Sequence, residues 1–210
     1  MNPMPSHKTK PQVIAITGGI GSGKSTVRKI LEAENLSCID LDDISRQIVA
    51  PGTPGLVKIS EVFGQNILSN GVLNRAELKR RIFSSPSDKQ RLEAIMHPMI
   101  RQATLEKLNC YSEKDLVVVE IPLLTEIGRP DYVDWVVVCD CAESTQIARV
   151  SARDNMSQEM IQAIMANQAT RAQRLEIADY VLNTELTMDE LSKAVKALIQ
   201  SLKNQPAINR

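Results

Sequence analysis

Residues 18–25 read GGIGSGKS and fit G-x-x-x-x-G-K-[ST] in full. An apolar run, VIAIT at 13–17, leads straight into them, and STVRKILEAEN follows with Val27, Ile30 and Leu31 at helical spacing. That order dictates strand, glycine loop, helix. The glycines let the loop turn its N–H groups toward one point, and the helix N-terminus adds partial positive charge there. The pattern therefore predicts a triphosphate cradle over 18–26. Gly19, Ile20, Gly21, Ser22 and Gly23 wrap the phosphates, and Lys24 reaches the β- and γ-phosphates. The Ser25 hydroxyl ligates Mg²⁺, and Thr26 touches the α-phosphate. A chance glycine-rich turn would lack the flanking strand and helix.

Four more short apolar runs follow, at 37–40, 115–121, 134–140 and 178–182. Runs such as LVVVEI and WVVVCD are apolar almost throughout, which suits parallel strands covered on both faces. Helical patterns separate them, at 42–50, 75–83, 87–109, 143–153, 157–168 and 188–202. Alternating strands and helices predict a doubly wound α/β fold. PGTPG at 51–55 is a break, and Asn70-Gly71 marks a turn. The stretch from about 54 to 110 is too long for one crossover and predicts an inserted helical subdomain. Pro98 should bend its helix or mark a junction.

The chain has 210 residues, enough for one α/β domain with such an insertion. Lys+Arg and Asp+Glu stand at 25 each, so no net charge draws the chain to nucleic acid or an anionic membrane. Aromatics at 3% exclude a surface of base-stacking platforms. No apolar run approaches the roughly 18 residues of a membrane span. Residues 1–10 lack an apolar signal-peptide core, and they and residues 206–210 are expected to be flexible. Cys38, Cys110, Cys139 and Cys141 show no CxxC spacing and read as reduced thiols of a cytoplasmic protein.

A P-loop locates a triphosphate without saying what becomes of it. A GTPase needs an N-K-x-D-like motif on a late strand, and VVVCDCAES and ADYVLNTEL hold none. A motor ATPase needs an apolar run ending in Asp; LVVVE ends in Glu120, and the chain is short for that class. A small-molecule kinase remains. It requires an acidic group to orient the acceptor hydroxyl and take its proton. Asp40, Asp42 and Asp43 follow the second strand, at the carboxyl edge where open α/β sheets place their sites. Asp42 or Asp40 fills that role, with Asp40 also a candidate for metal. The plainer reading is an N-cap, with Asp43 a first-turn helix charge. Arg149 and Arg153 share a helix face, and Arg171 and Arg174 follow the next helix. They are candidate cations closing over the phosphates, with Arg149 also a candidate adenine contact; the alternative is a solvated face with ion pairs to residues such as Asp154.

From about Val13 to Asn183 the chain resembles the dephospho-CoA kinase family. The matching stretches are ITGGIGSGKSTV (16–27), IDLDDISRQIVAPGTPGL (39–56), NGVLNRAELKRRIF (70–83), IMHPMIR (95–101), IPLLTE (121–126) and ADYVLN (178–183). Their order is far more specific than the P-loop alone. The resemblance implies a three-layer P-loop NTPase fold with a five-stranded parallel sheet. It implies one kinase domain over 11–205, a helical acceptor-binding insertion over about 54–110 and a lid over about 143–172. It implies phosphorylation by ATP of the ribose 3′-hydroxyl of dephospho-CoA, the last step of coenzyme A synthesis, with Mg²⁺. Asp42 would be the base, Arg46, Arg75, His97, Pro98 and Arg101 would serve the acceptor, and Arg149, Arg153 and Arg171 the lid. Read from the residues alone, His97-Pro98 also suits a helix junction or a satisfied buried histidine. Three positions depart from the family pattern. Glu120 replaces an Asp, extending by about 1.5 Å a carboxylate that would order a magnesium-bound water. Asn183-Thr184-Glu185 replaces Asn-x-Gly, and Thr125 replaces an aromatic. A nucleoside or nucleoside-monophosphate kinase, or a silent nucleotide-binding module, are the alternative readings.

Overall fold

The structure is a computed structural model and describes residues 10–204. The expected loose ends, 1–10 and 206–210, lie outside the described residues except for Lys10. Among the described residues the chain divides into two compact units, residues 10–40 with 108–204, and residues 41–107.

The first unit opens with β1 (Gln12–Thr17), the glycine loop, α1 (Lys24–Ala33) and β2 (Ser37–Asp40). The chain then leaves for the helical unit, which holds α2 (Leu41–Gln47), α3 (Pro54–Phe63), a 3-10 turn, the hairpin β3 (Leu68–Ser69) and β4 (Val72–Leu73), α4 (Arg75–Ser84) and α5 (Pro86–Leu108). The helix expected over 42–50 ends by Gln47. Pro51 has no N–H to extend it and disfavours helical backbone at Ala50, and the Thr53 hydroxyl lies 2.8 Å from the carbonyls of Ile48 and Ala50. Thr53 also caps α3, accepting from the Leu56 N–H, with Pro54 in the first turn. Gly55 is obligatory there, because a Cβ would lie 2.1 Å from the Ile48 carbonyl oxygen. The hairpin inside the expected helical stretch follows from Asn70 (φ 51°) and Gly71 (φ 75°), whose paired positive φ values make the tight turn. Leu56, Ile59, Phe63, Ile67, Leu73 and Leu78 form this unit's core. Pro98 does not break α5, which runs helical from 86 to 108.

Back in the first unit come β5 (Leu116–Glu120), α6 (Leu124–Ile127), β6 (Trp135–Asp140), α7 (Glu143–Asp154), α8 (Gln158–Ala166), α9 (Arg171–Glu176), β7 (Tyr180–Asn183) and α10 (Met188–Lys203). The short helices α6 and α9 carry too few turns to show a period in the sequence. The strand expected at 178–182 starts later, because the Asp179 carboxylate instead accepts from the Val136 N–H (2.7 Å) and from Arg129 (2.8 Å).

The five strands are parallel in the order β2-β5-β1-β6-β7. Successive residues of a strand face opposite sides. Ile14, Ile16, Val118, Val137 and Leu182 pack with Val27 and Leu31 of α1 and Leu191, Val195 and Ile199 of α10. Val13, Ala15, Val117, Val119, Val136 and Val138 are as deeply buried on the other face. The polar residues Asp40, Glu120, Thr17, Asp140 and Asn183 close the strands at their carboxyl ends, and the glycine loop leaves from the central one. No helix among the described residues is long and apolar enough to cross a membrane.

Cys139 and Cys141 are buried, Cys38 is half-buried and Cys110 is exposed. Burial pushes the Cys38 and Cys139 thiols up to about 12 and raises Cys141 as well. A thiol reagent at pH 8 should therefore modify Cys110 alone in the folded chain and the other three only after unfolding. Mass spectrometry of the labelled peptides checks this; fast native labelling of Cys139 would contradict the packing described.

Candidate active site

The loop between β1 and α1 is shaped by its glycines. Gly23 stands in the left-handed region (φ 87°) as the N-cap of α1. Gly21 has φ 71°, and a Cβ there would lie 2.6 Å from the Gln146 carbonyl oxygen and 2.8 Å from Val150 Cγ2. Lys24 Nζ donates to the carbonyls of Gly18 (2.6 Å) and Gly19 (3.0 Å), which holds the ammonium over the loop. Ser25, the next residue, is exposed, and Thr26 is half-buried.

Side chains from distant segments fix the loop backbone. Gln146 of α7 donates to the Ile20 carbonyl (2.7 Å), and Gln168 accepts from the Ile20 N–H (3.0 Å). The Thr184 hydroxyl, just past β7, donates to the Ser22 carbonyl at 2.8 Å. Arg149 of α7 donates to the Thr184 hydroxyl (3.0 Å) and carbonyl (2.6 Å) and approaches the Gly21 carbonyl at 3.5 Å. Sequence reasoning did not single out Gln146 or Gln168. It met Thr184 only as the middle residue of Asn183-Thr184-Glu185, whereas here the hydroxyl ties the loop to Arg149.

Two cavities flank the loop. One, of about 250 Å³, is lined by Gly21, Thr26, Arg149, Arg153, Leu186 and Met188. Its polar wall is the loop, and its apolar wall is the partly exposed Leu186 and Met188. The other, of about 320 Å³, is lined by Gln146, Gln168, Arg171 and Arg174 among others. Arg174 is 9% exposed. Its guanidinium donates to the Ala169 carbonyl and lies 3.0 Å from where a Gly19 Cβ would be. Burial lowers its pKa, against the opposing charges of Glu126, Asp140 and Glu143. Arg171 grips Asp140 at the end of β6 with two bonds (2.9 and 2.6 Å), and Arg153 grips Asp154 (2.8 and 2.7 Å). For Arg153 the plain ion pair is therefore what the structure holds.

At the other side of β1, the register sets Asp40 of β2 opposite Glu120 of β5. Arg28 of α1 reaches both, at 2.8 and 3.3 Å. Burial would lower its pKa, but Glu120, Asp40 and Glu32 outweigh that and raise it. Arg28, like Gln146 and Gln168, is a residue that sequence reasoning passed over, although its spacing of four from Lys24 was visible.

The remaining expected residues belong to the helical unit. Asp42 and Asp43 are exposed in the first turn of α2. Arg46, expected to serve the acceptor, makes an ion pair at 2.6 Å with Asp43 one turn before it. Arg75 opens α4 and is exposed. His97, Pro98 and Arg101 are exposed on α5, so His97 is not a buried core histidine. His97 and Arg101, four apart, share a helix face. A groove of about 570 Å³ beside Pro98 is lined by Ile48, Pro54, Lys58, Ile95 and Met99 among others.

Comparison with known proteins agrees with this architecture. The profile of the dephospho-CoA kinase family matches residues 12–190. A dephospho-CoA kinase of Hydrogenovibrio crunogenus is 48% identical over 195 residues, which is 92% of this chain and 99% of that one. A solved structure from Thermus thermophilus superposes with a TM-score of 0.81 at 30% identity, covering 92% of this chain and 98% of the other. The dephospho-CoA kinase from Campylobacter jejuni gives a TM-score of 0.67 at 26% identity, covering 91% and 96%.

Gly21→Ala should damage the cradle through both its backbone angle and its contact with α7. We expect a loss of about 1 kcal/mol or more of stability and a fall in ATP affinity, read by urea unfolding and calorimetry. Unchanged ATP binding would show that the loop does not need this conformation.

Proposed function

The chain belongs to the dephospho-CoA kinase family, and from that premise we propose that it transfers the γ-phosphate of ATP to the ribose 3′-hydroxyl of dephospho-CoA, giving coenzyme A. The observation that carries this reading is the family match over residues 12–190, which runs through both the loop and the acidic stretch at 40–43.

The donor end follows from the cradle. The loop N–H groups and the start of α1 favour the phosphates, and Lys24 needs only to swing from the loop carbonyls to follow their charge. The cavity between the loop and Leu186–Met188 suits a purine, flat and apolar on one side, with Arg149 at its edge. Arg174 and Arg171 flank the other side of the loop, where a cation stabilises charge on the transferring group. Residues from α7 to α9 act as a lid in this reading, with Arg149, Arg153 and Arg171 as its cations.

Magnesium fits the donor set. The Ser25 hydroxyl and the Asp40 and Glu120 carboxylates are hard oxygen ligands or water-orienting groups. No cluster of three or more His, Cys, Asp or Glu forms a separate cage among the described residues, which suits an ion carried mainly by the nucleotide. Bound there, the ion would neutralise charge on the β- and γ-phosphate oxygens.

Asp42 is the proposed base. It orients the 3′-hydroxyl and takes its proton as the new O–P bond forms and the bond to the leaving ADP breaks. Arg46, Arg75, His97 and Arg101 supply positive or hydrogen-bonding groups to the acceptor's phosphates. Asp42→Asn should lower turnover about 10²- to 10⁴-fold and leave ATP affinity within a few-fold. Coupled ADP release, with dephospho-CoA set against AMP, CMP and UMP, checks both acceptor and base. Turnover on a nucleoside monophosphate but not on dephospho-CoA would replace this function, and a fully active Asp42→Asn chain would remove Asp42 from its role.

A further inference from the structure

We propose that Arg28 is a positioning residue for phosphoryl transfer, holding the carboxylates of Asp40 and Glu120 in one arrangement at the carboxyl ends of β2 and β5. The inference rests on the kinase reading above and deepens it.

Arg28 lies one helical turn past Lys24, and residues four apart on a helix share a face. Lys24 turns back to the loop, while Arg28 reaches over the neighbouring strand ends. Its Nη1 donates to Asp40 Oδ2 at 2.8 Å and stands 3.3 Å from Glu120 Oε2. Its Nε makes no hydrogen bond and lies 3.5 Å from Glu32 Oε1. The parallel register sets Asp40 directly opposite Glu120, and Glu120 is only 8% exposed. Two carboxylates so placed repel each other, and water screens them poorly. A guanidinium between them relieves that repulsion and restricts both side chains at once.

The place of this trio argues for more than a stabilising ion pair. It stands on the helix that begins with Lys24 and Ser25, at the sheet edge where the loop leaves β1. One guanidinium contacts both carboxylates, so a change at Arg28 reaches both side chains together. Glu120 has one methylene more than Asp, and its extra reach ends on Arg28 and not in solvent. Arg28 thereby links α1 to the acidic pair. Lysine, a point charge on a flexible stem, reproduces this only in part.

The test uses the full chain, with ADP release from ATP and dephospho-CoA and urea unfolding in parallel. Arg28→Ala should lower kcat roughly 10- to 100-fold, the scale of a reacting geometry displaced by about 1 Å, with the KM for ATP within a few-fold. Arg28→Lys should recover part of kcat. In a Glu120→Gln background, Arg28→Ala should cost far less than in the unmodified chain, in both turnover and the urea midpoint. Unchanged kcat in folded Arg28→Ala, a loss confined to the urea midpoint, or additive effects of the two substitutions would each overturn the inference. If Arg28→Ala does not fold, Arg28→Gln and Arg28→Lys carry the same comparison. An unmodified chain that releases no ADP with dephospho-CoA refutes the functional proposal itself and takes this inference with it.

Discussion

A phosphate-binding loop belongs to neither the sheet nor the helix it joins, so its backbone groups need partners from elsewhere. Here those partners are side chains brought from more than a hundred residues away. Gln146, Gln168 and Thr184 bond the backbone of Ile20 and Ser22, and Arg149 braces Thr184. The loop is thus held from α7, from the turn after α8 and from the turn after β7. None of those segments can shift without disturbing the others. A substitution at Gly21 reaches α7 directly, and one at Gln146 reaches the loop.

Strand order decides which charged residues meet. With β1 at the centre, β5 and β2 lie on one side and β6 and β7 on the other. Asp40 and Glu120 therefore become neighbours although 80 positions separate them in the sequence. Asp140 lies across β1 from that pair, where Arg171 covers it. Parallel strands end in the same direction, so every such carboxylate collects at one edge. The valine-rich runs that make the strands interchangeable as core leave their last residues to carry the differences.

Much of this was legible in the sequence, for a physical reason. A buried parallel strand is a near-continuous apolar run, and a positive-φ turn calls for glycine or asparagine; β1, the loop and the Asn70-Gly71 turn announce themselves, whereas the two-residue strands on either side of that turn are too short to show an alternation. Short helices such as α6 and α9 hold too few residues to show a period. The end of α2 at Gln47 depended on Thr53, whose hydroxyl acts back across the break. The partners of the loop were illegible for another reason. Nothing local marks a glutamine at 146 as the residue that will meet Ile20, because only the sheet order brings α7 there. Arg28 was visible as a helical neighbour of Lys24, but its two carboxylates were not, since their adjacency depends on β5 lying between β1 and β2.

Two polar groups beside the loop take the same kind of partner. Glu120, which stands where the family pattern has Asp, carries its charge farther from the strand, and Arg28 meets it. The Thr184 hydroxyl is bonded to the Ser22 carbonyl on one side and to Arg149 on the other. In both cases an arginine engages the polar group, because a planar, always-charged fork can serve two acceptors from one position. Each arginine lies on a helix next to the loop, Arg28 on α1 and Arg149 on α7. The departure at Asn183-Thr184-Glu185 falls on Glu185, in place of the glycine, and its carboxylate accepts from the Thr145 hydroxyl of α7. Glu120 and Glu185 are thus both engaged by side chains of helices that flank the loop, so neither departure leaves a loose carboxylate beside the cradle.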